Sequence, residues 1–246
     1  PGGVDEHTHF SALCNVGDRD TAGYETTMSA IVGGTTTIVD FAPQDPGTGL
    51  LDSIDYRINV RAKGKTCVDF ALHGMVTYLM DSVFDEVKEL PKKGVSSIKI
   101  FMAYNGSPLH VDDGSFYRIL EESGKVGLTV FVHAENGEIL NFLRDECVKK
   151  GQLAPKYHYV SRPPFTEAEG VRRAIYLAQQ TGTPLYVVHV TCKEALQEIQ
   201  EAQGKGINVG GETCTHYLTV TKDVLDDPDF NKAAQYVCSP ALRSQE

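Results

Sequence analysis

The sequence predicts an α/β barrel of the TIM-like (β/α)8 kind, with seven of the eight strands legible. Strand-like runs rich in β-branched and aromatic residues alternate with amphipathic helical stretches, which implies parallel strands joined by right-handed crossovers. Four of these runs carry a His or a Lys toward their C-terminal end: Val4–His9, Ser97–Tyr104, Thr129–Glu135 and Leu185–Thr191. The length, 246 residues, falls within the range of one large α/β domain with a sizeable core. In such a barrel the strand C-terminal ends meet on one face, where active sites form. Four imidazoles and a lysine brought to that face point to a metal-dependent hydrolase.

The elements follow in order. After the first strand, Thr21–Val32 reads as a helix stopped by Gly33-Gly34. Thr35–Phe41 is β-branched up to Asp40 and reads as the second strand. Leu51–Lys63 is helical, Asp69–Thr77 the third strand, and Ser82–Lys92 a helix with Gly94 as its stop signal. Ser97–Ala103 is the fourth strand, Asp113–Ser123 helical, and Leu128–Ala134 the fifth strand. A longer insertion, Glu135–Pro164, holds a helix over Gly137–Lys150 and a polar loop ending in Ser161-Arg162-Pro163-Pro164. Thr166–Gln180 is helical, Pro184–Val190 the sixth strand, Lys193–Gln203 helical, and Ile207–Glu212 the seventh strand. The first residue is Pro1, directly ahead of a ligand-bearing strand, and Glu246 follows a strand-like segment. Both ends are therefore expected to be cut from a longer polypeptide, with the eighth strand beyond Glu246.

Composition excludes several classes. Hydrophobic content of 41% and charged content of 23% are ordinary globular values and do not fit disorder. The net charge of −10 argues against binding a nucleic-acid backbone, which needs clustered Lys and Arg. No apolar run approaches the roughly 18 residues of a membrane helix, and no basic, apolar leader opens the chain. Cys14, Cys67, Cys147, Cys192, Cys214 and Cys238 are scattered without a CxxC pair. They read as reduced, mostly buried thiols of a cytosolic protein. Gly33-Gly34 and Gly210-Gly211 fit neither a P-loop nor GxGxxG and read as turn and close-packing sites.

His7-Thr8-His9 places two imidazoles two residues apart, on one face of a strand, where both can reach one cation. His133 and His189 each close an apolar run. Singly, each suits a hydrogen-bonded core histidine; together with His7 and His9 in the same barrel register, ligation is the better reading. Neutral imidazole suits zinc and related divalent ions. Lys99 lies amid Ile98, Ile100 and Phe101, where burial lowers a lysine pKa. It reads either as a buried salt bridge or as a neutral amine that reacts with carbon dioxide to a two-oxygen carbamate able to bridge two metals. Asp5 shares a strand face with His7 and reads either as a carboxylate orienting an imidazole or as a solvent-facing one. His73 and His216 read as structural, His110 and His158 as loop residues.

These runs resemble the hydantoinase/dihydropyrimidinase family of cyclic amidohydrolases over nearly the whole chain. The resemblance is carried by Pro1–His9, Gly33–Thr37, Lys99–Tyr104, Val132–Gly137, Ser161–Pro164, Val188–Thr191 and Gly211–Cys214. It implies two divalent metal ions, usually zinc, with His7 and His9 on one, His133 and His189 on the other, and N6-carboxylated Lys99 between them. It further implies that Tyr104 donates to the oxyanion and that the backbone at Ser239 holds the ring amide of a small-molecule substrate. The implied reaction is ring opening of a dihydropyrimidine or hydantoin to an N-carbamoyl amino acid, as in pyrimidine catabolism, by a cytoplasmic homotetramer.

Two departures qualify the likeness. The final aspartate ligand after the eighth strand has no counterpart, because Asp226, Asp227 and Asp229 come too early. The flanking β-sandwich, built from both termini, is also missing. Residues 1–246 therefore read as the central part of a catalytic barrel domain, expected to be inactive by itself. A dihydroorotase would carry HxHxR, whereas Phe10 and Ser11 follow His9. An allantoinase is closer. The non-catalytic cytoskeletal and signalling relatives of the family lose metal ligands, and His7, His9, Lys99, His133 and His189 are all present.

Overall fold

The computed structural model describes residues 1–10 and 23–245. Seven predicted strands form: β1 (Gly3–Thr8), β2 (Thr35–Pro43), β3 (Asp69–Met75), β4 (Ser97–Phe101), β5 (Thr129–His133), β6 (Leu185–Val187) and β7 (Val209–Gly211). Between them lie α1 (Met28–Val32), α2 (Leu50–Tyr56), α3 (Val83–Glu86), α4 (Asp113–Lys125), α5 (Gly137–Lys149), α6 (Tyr157–Val160), α7 (Pro164–Thr181) and α8 (Lys193–Gly204). After β7 come α9 (Thr215–Thr219) and α10 (Phe230–Ala234). The chain divides into two compact units, Pro1–Lys99 with Lys125–Leu128, and Ile100–Gly124 with Thr129–Glu246.

In the first unit every pairing is parallel, β1 with β2, β2 with β3 and β3 with β4. β2 and β3 run without a slip from Thr37 opposite Asp69 to Pro43 opposite Met75. β1 does slip: it advances from Asp5 to Thr8 while β2 advances only from Ile38 to Asp40. The extra residue is a bulge in the stretch that holds His7, a device that re-aims side chains beside active sites. Ile38, Leu50, Ile54, Leu90 and Ile98 are buried in the core of this unit.

In the second unit β5, β6 and β7 pair in parallel. Phe116, Ile119, Leu120 and Ser123 form the buried stripe of α4 at helical spacing. Val171, Ala174, Ile175 and Ala178 do the same for α7, whose C-terminus is closed by Gly182 at φ 68°.

Several boundaries differ from those the sequence predicts. The helix expected over Thr21–Val32 is a 3₁₀ turn at Tyr24–Thr27 followed by α1, and Thr21 and Ala22 lie outside the described residues. The helix expected over Leu51–Lys63 passes at Arg57–Ala62 into a π-helical turn. The one expected over Ser82–Lys92 becomes 3₁₀ from Val87, because Pro91 lacks the N–H and its ring crowds the preceding turn. Gly94, at φ 76°, does stop it. The insertion's polar loop contains a helical turn, α6. Residues 235–245 hold no strand, contrary to the strand-like segment expected before Glu246.

Gly170 shows why α7 sits so near β5. A methyl group at residue 170 would lie 2.8 Å from the carbonyl carbon and oxygen of Ala134. Backbone cannot yield as a side-chain tip can, so Gly170→Ala is expected to cost about 1–3 kcal/mol of stability. Urea unfolding checks this, with a lower midpoint at an unchanged slope as the expected result.

Candidate metal centre

In the first unit the expected residues gather on one aromatic ring. His7 and His9 flank Thr8 and project to the same side, their ring centroids 5.3 Å apart. Each also meets Phe41, His7 edge-on at 4.9 Å and His9 stacked at 4.8 Å. Lys99, central in β4 and 2% exposed, holds its Nζ 5.6 Å from the centre of the Phe41 ring. His73 stacks on that ring at 4.7 Å. Its Nδ1 lies 2.5 Å from the Ser97 hydroxyl and its Nε2 2.9 Å from the Glu6 carbonyl oxygen. Those bonds tie β1 to β4, so His73 is structural, as expected. His9 is exposed as a residue, yet its imidazole pKa falls to about 3, through desolvation of the ring and then repulsion from His7 and Lys99. It is therefore a neutral donor at pH 7, as ligation requires. Asp5 is exposed and accepts from the backbone N–H of His7 at 3.2 Å.

Asp40 precedes Phe41 on β2 and is wholly buried. It accepts from the Tyr24 hydroxyl at 2.5 Å and from the Phe10 N–H at 3.1 Å. Burial pushes its carboxyl up to about 6, against the pull of the Tyr24 bond and the Arg57 charge.

In the second unit His133 closes β5, and its ring centroid lies 4.6 Å from that of His189. The two are 1% and 9% exposed. His189 stands two residues beyond the end of β6 at φ 42°, so it leaves strand geometry instead of ending it as predicted. Glu135, fully buried, takes the His133 Nε2 at 2.6 Å and the Arg162 guanidinium at 2.7 Å. Burial works to raise the Glu135 pKa, but these two partners outweigh it and hold the carboxyl at about 2. With the proton on Nε2, the lone pair of His133 falls on Nδ1, the arrangement in which a carboxylate orients a metal-ligating imidazole. Tyr104, at φ 66°, packs on His133 with centroids 5.2 Å apart and hydrogen-bonds with Ser239. Burial raises its phenol pKa, so it stays a donor.

Sequence reasoning missed the polar frame behind these residues. His158 is in α6 and not in a loop; its Nε2 donates to the Cys238 carbonyl at 2.7 Å and lies 3.4 Å from the Ser239 hydroxyl. Glu167 accepts from the Thr191 N–H at 2.7 Å and from Arg243 at 2.9 Å, and Arg243 also donates to the Arg162 carbonyl. This ties down the segment just after His189. His110 lies between β4 and α4, 3.3 Å from the Asn105 amide nitrogen. His216 is exposed on α9 beside Tyr217, not built into a core. Asp226 and Asp229 are exposed, and Asp229 caps α10. The cysteines also differ from expectation in burial: Cys67 is exposed and Cys147, Cys192, Cys214 and Cys238 are half-buried, none of these five in a disulfide, while Cys14 lies outside the described residues.

Among the described residues no three His, Cys, Asp or Glu side chains form a ligand set by themselves. The donors come as imidazole pairs, and a pair needs a third donor of another kind. In the first unit the buried amine of Lys99 beside His9 is such a group. The donor chemistry of the first unit thus fits the metal that the resemblance implies, and the second unit adds the imidazole pair of His133 and His189.

No family model matches the chain. A D-hydantoinase from Ralstonia pickettii is 43% identical over 247 residues, which cover 100% of this chain and 53% of that enzyme. A solved dihydropyrimidinase from Brevibacillus agri NCHU1002 superposes with a TM-score of 0.93 at 39% identity, over 99% of this chain and 52% of that one. The chain belongs to the hydantoinase/dihydropyrimidinase family. It spans about half the length of the curated relatives it matches. Its fold is accordingly that of a TIM-like barrel, with seven parallel strands in the chain. An allantoinase from Salmonella paratyphi B stands further off, 36% identical over 256 residues, 100% of this chain and 54% of that enzyme.

The raised carboxyl of Asp40 has a measurable effect. Between its ordinary 3.8 and about 6 the folded chain holds a proton that the unfolded chain has released, so stability falls as pH rises through that window. Two pH units of such a difference amount to about 2–3 kcal/mol. The wild-type curve of stability against pH is expected to descend relative to that of Asp40→Asn between pH 4 and 6. Parallel curves in urea titrations would show that Asp40 does not hold this proton.

Proposed function

We propose that the chain serves metal-dependent hydrolytic ring opening of a cyclic amide, a dihydropyrimidine or a hydantoin, to an N-carbamoyl amino acid. What carries this reading is that the chain holds all five expected donors, His7, His9, Lys99, His133 and His189, and over its whole length is 43% identical to about half of a D-hydantoinase. In this reading 1–246 is the central part of a catalytic barrel domain. His7 and His9 would hold one divalent ion, His133 and His189 another, and carboxylated Lys99 would be shared by both. Zinc suits this donor set. When bound, the metals supply activated water at neutral pH and polarise the carbonyl under attack.

The chain's own residues do the rest. The Tyr104 hydroxyl donates to the carbonyl oxygen as negative charge develops on it, and its raised pKa keeps it protonated for that purpose. The Ser239 backbone holds the ring amide, with the Ser239 side chain bonded to Tyr104, so binding and oxyanion contacts move together. Arg162 holds Glu135, and Glu135 holds the His133 ring in one tautomer. Among the described residues no helix is long and apolar enough to cross a membrane. A cytoplasmic homotetramer is the assembly we propose.

The test is metal analysis of the full-length protein together with hydrolysis of hydantoin, dihydrouracil and allantoin. Two metals per chain and turnover of the first two substrates are expected; turnover of allantoin alone would move the chain to the allantoinases. Lys99→Ala is expected to lose both metals, with partial recovery by short carboxylates. Lys99→Arg should fail as well, since guanidinium forms no carbamate and stays charged. Either variant keeping two metals and full activity would exclude the carbamate.

Tyr104→Phe separates chemistry from metal binding. Loss of one oxyanion donor typically costs about 10²–10³ in turnover. The expected outcome is a fall of that size in kcat at unchanged metal content, and an unaltered kcat would reduce Tyr104 to packing.

A further inference from the structure

Consecutive residues of a strand face opposite sides, and β2 uses this at Asp40 and Phe41. Phe41 carries the rings of His7 and His9. Asp40 grips the main chain just past His9, since its Oδ1 accepts from the N–H of Phe10 at 3.1 Å. The carbonyl of that same Phe10 accepts from the Arg57 guanidinium at 3.0 Å. The peptide units on both sides of Phe10 are thereby held by side chains from β2 and from the start of the π-helical turn. Tyr24 donates to the other Asp40 oxygen at 2.5 Å and packs its ring over that of Phe10, centroids 6.0 Å apart. Asp40 and Tyr24 are fully buried and Arg57 is 5% exposed.

Burying a carboxylate, a guanidinium and a phenol is costly unless their bonds accomplish something that apolar packing would not. Two of these groups bond directly to the residue that follows His9, and the third fixes one of the two. The bulge in β1 leaves its last residues out of simple register with β2, so the ladder alone does not set where the His9 ring points.

We propose that Asp40, Tyr24 and Arg57 form a positioning clamp on Phe10 that holds the His9 imidazole against Phe41 in its metal-binding pose. The proposal rests on the reading of His7 and His9 as a ligand pair. The clamp touches neither metal nor substrate; it acts through the backbone.

The experiment strips the full-length protein of metal and titrates zinc against a chromophoric chelator, alongside thermal melts of the metal-free form. Arg57→Met is expected to weaken one of the two zinc equivalents by about 10–100-fold, the range for loss of a group that orients a ligand. Arg57→Lys should recover part of that affinity. In the metal-free protein the proton cross-relaxation between the His9 and Phe41 rings should weaken in Arg57→Met and persist in Arg57→Lys. If wild-type protein takes up no zinc, the ligand pair fails and the clamp with it. If wild type binds two zinc ions and Arg57→Met binds them equally well while its Tm drops, the ligand pair stands and the clamp is overturned. Should Arg57→Met not fold, Tyr24→Phe removes a single hydroxyl; a several-fold weaker zinc equivalent supports the clamp, and unchanged affinity overturns it.

Discussion

The ring of Phe41 is the surface on which the first unit's candidate site is assembled. Three imidazoles and a lysine amine lie against it, from β1, β3 and β4. An aromatic ring does two things there. It excludes water on one side, which favours neutral imidazole, and its electron-rich face receives the Lys99 amine 5.6 Å from its centre. His73 then spends both ring nitrogens on Glu6 and Ser97, which locks the strands that carry the donors. A donor pair on a strand as exposed as β1 would otherwise have little to fix its direction.

The second unit solves the same problem with charge. Glu135 is buried with His133 and Arg162 as partners, and the carboxylate stays ionised because these two offset its desolvation. Buried ion pairs add little net stability, but they fix geometry well. Here the geometry fixed is the tautomer of the His133 imidazole. The Glu167–Arg243 pair does similar work for the chain just after His189.

The strands and the positions of the five candidate donors were legible because the donors fall in four strand-like runs and because period-two alternation makes His7 and His9 neighbours in one of them. The ends of those runs were not legible. β6 stops at Val187, and His189 and Tyr104 adopt positive φ, which neither residue type announces. The supporting groups were hidden for a different reason. Glu135 and Arg162 are 27 residues apart and Glu167 and Arg243 are 76 apart, so no local pattern links them. A trace of Glu135 was present, since a carboxylate two residues past a strand-end histidine shares its face. Glu167 left another, as a charge on the buried stripe of α7. The cysteines were misread because a general tendency toward burial says nothing about a given thiol.

Tyr104 and His189 set activity against durability. A side chain with a Cβ held in the left-handed region costs on the order of 1 kcal/mol, which glycine avoids and asparagine lessens. On the proposed reading the reaction needs the phenol of Tyr104 and the imidazole of His189, and the strain comes with them. Glycine at 104 would relieve that strain but forfeit the packing of the Tyr104 ring on Phe101 and His133, which is the larger cost. Backbone strain and ring packing therefore pull in opposite directions at 104 and 189, and the stability of a variant there reports their difference.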